Sequence, residues 1–253
     1  MSDSEFAATL AERAGALLLE LQRTSGLTGK ELSNAGDTKS NDLLLGLIAE
    51  GRPGDAVLSE ESADSAARLS ADRVWIIDPL DGSREYGMEG RTDWAVHVAL
   101  WERGAPGSAI TSAAVAQPAL SAVYATGASS AVRGVRERPI FLVSDSRPPA
   151  FAASVAEALG ADLQPMGSAG AKAMAVLRGD ADAYLHAGGQ WEWDSAAPVG
   201  VALAAGLHAS RVDGSTLTYN AAHPYLPDLI ISRADLADEL LRTIAAAGGW
   251  AAW

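Results

Sequence analysis

Apolar residues recur at Phe6, Leu10, Ala14, Leu17, Leu18 and Leu21, and steps of about three and four residues predict an amphipathic first helix. The stretch "TSGLTGKELSNAGD" reads as the loop that ends it. A second helix is expected after Asp37, with Leu43, Leu44, Leu47 and Ile48 inward, stopping at "GRPGD" because Gly and Pro break the pattern. The pattern then shortens to strands. "AVLS" and "RVWIID" are brief apolar runs between polar clusters, "DWAVHVALWE" places Trp94, Val96, Val98 and Leu100 on one face, and "AITSAAVAQP" and "SAVYAT" extend the sheet around Pro118.

Beyond the Gly/Arg-rich "SSAVRGVRERP", strands alternate with helices. "IFLVS", "ADAYLH" and "LIIS" read as strands; residues 149–159, "SAGAKAMAVLRG", "SAAPVGVALAAG" and "RADLADELLRTIAAA" read as helices. The expectation is an α+β subdomain over 1–135 and an α/β subdomain over 136–253, sharing one extensive interface because no flexible linker or repeat separates them.

A chain of 253 residues with 48% hydrophobic content can bury a substantial core. The absence of cysteine excludes disulfides, zinc–thiolate sites and thiol catalysis. The acidic, amphipathic start lacks the basic and apolar regions of a signal peptide, and no apolar run has the length of a membrane span, so a cytoplasmic protein is expected. With 19 basic against 32 acidic residues and a net charge of -13, a nucleic-acid polymer is disfavoured as partner, since its phosphates are met by Lys and Arg. A small phosphorylated substrate stays compatible if bound cations reverse the local field. Alanine-rich helical faces are compatible with a homodimer without identifying a contact face.

The chemistry concentrates in acidic residues at element ends. In "WIIDPLDGSRE", a strand runs into Asp78, Pro79 fixes the turn, and Gly82 permits a tight path, aiming Asp78, the Leu80 carbonyl and Asp81 at one point. Close carboxylates repel unless a proton or a cation sits between them, and an oxygen-only set suits a hard ion such as Mg²⁺. The alternative is a turn in which Asp81 caps a helix starting near Ser83. "AVLSEES" adds Glu60 and Glu61, which otherwise form a solvated pair, and "QWEWDSAAPVGVALAAG" adds Asp194, otherwise a helix N-cap.

"SEE", "WIIDPLDGSRE" and "EWDSAAPVGVALAAG", in this order, resemble the signature blocks of the inositol monophosphatase-like, lithium-sensitive, Mg²⁺-dependent phosphatases. The resemblance extends through nearly the whole chain, and "DPLDGSREY", "GSAGAK" and "EWDSAA" look most like the CysQ-type 3′(2′),5′-bisphosphate nucleotidases. It implies a layered αβαβα sandwich of the inositol monophosphatase/fructose-1,6-bisphosphatase type. It further implies that Glu60, Asp78, Asp81, Asp194 and the Leu80 carbonyl bind two or three Mg²⁺ ions, with Mn²⁺ as a substitute, while Glu61 stands behind them or alternates as a ligand. Asp37, Glu60 and Ser83 would orient and deprotonate the attacking water. Ser83 stands where the family usually has threonine, which keeps the hydroxyl, and Pro198 replaces a frequent glycine within the expected first turn of its helix.

Substrate would meet Gly82, Ser83, Arg84, Gly167, Ser168, Lys172 and Asp194. Arg84 can fork onto a phosphate or form a surface ion pair, and Lys172 can meet a second phosphate or be an ordinary exposed lysine. Trp191 or Trp193 can stack on a purine or pack in the core; His97, His186, His208 and His223 show no ligand spacing and read as structural. The expected reaction is release of the 3′-phosphate of adenosine 3′,5′-bisphosphate. The rivals are inositol 1-phosphate or fructose 1,6-bisphosphate as substrate, and a non-catalytic sugar-phosphate binder.

Overall fold

The computed structural model describes residues 1–107, 109–132 and 136–248. The expected junction at 135/136 falls at residues 133–135, outside the described residues. Helix α1 (Asp3–Thr24) starts where the Ser2 hydroxyl accepts from the Glu5 amide while the Glu5 carboxylate accepts from the Ser2 amide, a reciprocal cap that satisfies two orphan donors. Its buried face includes Phe6, Leu10, Ala14, Leu18 and Leu21. Helix α2 runs from Gly29 to Gly51. It begins well before Asp37, where the sequence suggests a loop, because Leu32, Ser33 and Gly36 are buried and give the polar stretch a packed face.

Strands β1 (Ala56–Ser59), β2 (Arg73–Asp81), β3 (Ala95–Glu102), β4 (Ile110–Gln117) and β5 (Ala122–Ala125) form one sheet in chain order. β1 and β2 are parallel and the other pairs antiparallel. A one-turn helix, α3 (Ser83–Tyr86), follows β2. The second sheet has the order β7-β6-β8-β10-β9, from β6 (Ile140–Ser144), β7 (Asp162–Met166), β8 (Ala183–Trp191), β9 (His208–Ser210) and β10 (Tyr225–Ser232). Between its strands come α4 (Ala152–Ala158), α5 (Ala169–Arg178) and α6 (Glu192–Ala204), and α7 (Ala237–Ala246) follows it. β7 and β9 are strands that the pattern of apolar residues does not announce: β7 is mostly exposed, and β9 has three residues.

Alternation on the strands assigns the layers. Trp75, Ile77, Val96, Val98 and Leu100 pack against α1 and α2, while Val74, Ile76, Ala95, Ala99 and Val115 face α5 and α6. Those two helices also cover Leu142, Tyr184, Leu229 and Ile231 of the second sheet, whose far face packs Phe141, Val143, Leu185 and Ile230 against α4 and α7. The order is helix, sheet, helix, sheet, helix, and the middle layer, supplied by the second half of the chain, binds both sheets. Among the described residues no helix is long and apolar enough to cross a membrane.

Candidate active site

The site forms where β2 ends against the starts of α5 and α6. Asp78 pairs in register with His97 and Asp81 with Ala95, so β2 carries one extra residue there. Such a bulge bends the strand and re-aims its side chains. Pro79 and Leu80 occupy it, and Gly82, with φ of 84°, turns the chain into α3. The crowding at Gly82 is tight as well, since a Cβ there would stand 3.1 Å from both the Asp93 carbonyl and the Ser168 Cβ.

Asp78, Asp81 and Asp194 each bring a carboxylate oxygen to within 4.8 Å of the others. Asp194 lies in the first turn of α6, where it accepts from the Trp191 amide at 2.6 Å rather than serving as the N-cap. Glu60 lines the same cleft as Asp81 and Asp194. Burial, then repulsion from Glu60, Asp81 and Asp194, pushes the Asp78 carboxyl well above its ordinary range. Burial and the charges of Asp194, Glu61 and Asp81 push Glu60 up to about 8, and burial with Asp81 pushes Asp194 up to about 6.

Asp81 behaves oppositely. Burial raises it, but His97, Ser168 and the Gly170 amide outweigh that and hold it down to about 2. Its Oδ1 accepts from the Ala169 amide at 3.2 Å, and its Oδ2 from the Gly170 amide at 2.7 Å and from the Ser168 hydroxyl. His97, wholly buried, brings Nε2 to 3.2 Å from the same oxygen and sets Nδ1 3.1 Å from the Trp193 carbonyl. A Cβ on Gly170 would collide with that ring, so only glycine lets the helix start approach the histidine. The pattern Trp94, Val96, Val98, Leu100 identifies one face of β3; His97, on the other face between alanines, is the functional neighbour that the sequence reading passed over.

The predicted water-handling pair is close: Ser83 Oγ lies 2.9 Å from both Asp37 Oδ1 and the Leu80 carbonyl. Asp37 is not at the start of α2 but inside it; burial, moderated by the Ser83 bond and raised again by Glu61, sets it at about 6. The other expected substrate contacts are differently engaged. Gly167 gives its amide to Asp93 at 2.8 Å, and Ser168 gives its hydroxyl to Asp81. Lys172 is neither exposed nor an open point charge: it is buried, and its Nζ donates to the carbonyls of Met166, Gly167 and Ser168. Arg84 takes the ion-pair alternative, with Glu85 and Asp145.

Glu60, Asp81, Asp194, Gly167, Ser168 and Lys172 line a cleft of about 480 Å³ that reaches Trp191 and Tyr225, whereas Asp37 and Ser83 line a separate pocket that shares Arg84 with it. Trp191 and Tyr225 are 40% and 43% exposed, and their rings meet edge to face at 5.8 Å. Trp193 does not line the cleft; it is partly buried, stacked behind Trp191 at 5.4 Å.

The donor set fits a divalent cation. Asp78 Oδ2 is buried without a hydrogen-bond partner among the described residues, and three neighbouring carboxylates with raised or repelling charges are best relieved by a hard ion that takes oxygen ligands.

The layered fold and this acidic centre define the inositol monophosphatase family, to which the chain belongs: the family model matches residues 3–246. Among curated relatives, a Mycobacterium leprae protein named 3′-phosphoadenosine 5′-phosphate phosphatase is 53% identical, over 96% of this chain and 94% of its own length. A Salmonella typhimurium protein named 3′(2′),5′-bisphosphate nucleotidase CysQ is 30% identical, over 76% and 81%. The solved inositol monophosphatase II of Staphylococcus aureus superposes with a TM-score of 0.76 over 94% of this chain and 93% of its own, at 18% identity, a likeness of fold.

Proposed function

We propose that this chain is a Mg²⁺-dependent phosphomonoesterase that removes the 3′-phosphate of adenosine 3′,5′-bisphosphate. The observation that carries the choice of a nucleotide is the aromatic corner of Trp191 and Tyr225, exposed in the same cleft as the acidic centre. Base–aromatic stacking favours a purine by ~1–3 kcal/mol, and an inositol ring has no π-face to offer. The names of the relatives point the same way.

Asp78, Asp81 and Asp194, with Glu60 and the Leu80 carbonyl beside them, would hold the ions, two or three in number, with Mn²⁺ as the substitute. When bound, Mg²⁺ supplies polarisation of the phosphoryl oxygens and lowers the pKa of water. The remaining work belongs to the side chains. Ser83 has one hydroxyl proton, shared between Asp37 Oδ1 and the Leu80 carbonyl at 2.9 Å each, so its lone pairs are free to accept from the attacking water and orient it. Asp37, set at about 6, stays largely ionised at neutral pH and still binds a proton well enough to act as the base. His97 and the amides of Ala169 and Gly170 keep Asp81 ionised and fixed in place. No covalent intermediate on the protein is required.

Purified protein assayed with Mg²⁺ on adenosine 3′,5′-bisphosphate, inositol 1-phosphate and fructose 1,6-bisphosphate should give the highest kcat/KM for the first. A maximum for inositol 1-phosphate contradicts the proposal. Asp81→Asn should lower phosphate release at least about a hundredfold, and unchanged release would favour a binding protein over an enzyme.

A further inference from the structure

The substrate proposed above carries a second phosphate at its 5′ position, and the acidic cleft must offer that group a cation. Three basic side chains line it: Arg84, Arg147 and Lys172. Arg84 is paired with Glu85 and Asp145, and Lys172 spends its donors on three main-chain carbonyls. Arg147 is exposed, and its guanidinium has no hydrogen bond or ion pair with any described residue. Its own main-chain amide donates to Ser144 Oγ at 3.2 Å, and Pro148 follows directly, which disfavours a helical backbone at Arg147. The loop thus holds the arginine at the cleft wall with its fork unused.

Another part of the same cleft is built for close approach. β8 and β10 shift register between Leu226 and Asp228, and Gly188 and Gly189 lie in the β8 irregularity with φ of 100° and 94°. A Cβ on Gly189 would overlap the Tyr225 hydroxyl, whereas the space above Gly188 is open. The strand therefore presents bare backbone to the cleft that Arg147 and the aromatic corner also line. Nearby His186, driven down to about 4 by burial and then by Lys172 and Arg147, is neutral and does not compete as a cation.

We infer that Arg147 receives the second phosphate of the substrate and is the residue that makes the cleft select a nucleotide bisphosphate over a monophosphate. This rests on the nucleotide reading above. A planar guanidinium matches two phosphate oxygens at once, which a lysine at the same place cannot do.

The test compares wild type, Arg147→Ala and Arg147→Lys on adenosine 3′,5′-bisphosphate and on 3′-AMP, which lacks the second phosphate. Arg147→Ala should raise KM for the bisphosphate and lower its kcat/KM relative to that of 3′-AMP by about 10- to 100-fold, with kcat much less affected, and Arg147→Lys should recover part of the loss. Calorimetry gives a second readout: wild type should bind 5′-AMP more tightly than adenosine, and Arg147→Ala should lose that preference. Equal losses on both substrates, or an unchanged ratio, would overturn the assignment while leaving adenosine phosphates as substrates. A wild type indifferent to all adenosine phosphates overturns the nucleotide reading itself, and this assignment with it.

Discussion

Asp78 keeps one carboxylate oxygen buried and unpartnered among the described residues, beside Asp81 and Asp194. Glu60, raised to about 8, makes the consequence measurable. A carboxyl whose folded pKa exceeds its unfolded value binds its proton more tightly when folded, so its stabilisation is complete below about 4.5 and is lost as pH rises through about 8. His186, depressed to about 4, works in reverse: stability is lost as pH falls from about 6.5 towards 4, and above that range it contributes no slope. Between about pH 6.5 and about pH 8, the melting temperature of chelator-treated wild type should therefore fall with pH. Glu60→Gln should fall less, and Mg²⁺ should raise the wild-type value at the upper end. A melting temperature that Mg²⁺ leaves unmoved would contradict this. At this scale the local motif was legible: Asp78, Pro79, Asp81 and Gly82 are neighbours, and their chemistry follows from their order. His97, Arg147 and Tyr225 were not, because a strand register, a loop and a bulge bring them to the site from distant parts of the chain.

Strongly periodic elements matched the pattern of apolar residues, as in α1 and the two faces of β3. Failures came where tertiary contact outweighs local signal. "TSGLTGKELSNAGD" carries too many turn formers to announce a helix, yet from Gly29 onward it is α2, packed against β2 and α3. Pro198 lies deeper than the first turn of α6, because the helix starts at Glu192; its missing amide leaves the Asp194 carbonyl without the usual helical partner. Gly36 marks close packing of α2 beside the site: a Cβ there would stand 2.9 Å from both Leu80 Cδ2 and Tyr86 Cε1. Gly36→Ala should cost about 1–3 kcal/mol by overpacking. Since Asp37 is the next residue, kcat should fall as well, even at temperatures where the variant stays folded. Denaturant titration and steady-state kinetics on the same preparation check both, and an unchanged urea midpoint would contradict the packing argument.

Across the whole molecule, the acidic cluster draws on distant parts of the chain. β2 delivers Asp78 and Asp81, β1 leads to Glu60, and α6, in the middle layer, delivers Asp194. A buried polar link ties the halves close to that point. Arg68, 1% exposed, donates to Asp64, to Asn220 Oδ1 and to the Ala221 carbonyl, and the amides of Asn220 and Ala221 donate to Glu192 at 2.7 and 2.9 Å. Glu192 begins α6, two residues before Asp194. The link holds the two sources of carboxylates in register, so their mutual repulsion can be relieved in the folded protein only by protons or by a bound cation. Isothermal titration of chelator-treated protein with Mg²⁺ tests this most directly. Wild type should take up the ion, and Asp194→Asn, folded by circular dichroism, should bind it at least about tenfold more weakly. Wild-type protein that takes up no Mg²⁺, or an Asp194→Asn variant that binds it as wild type does, would contradict the account.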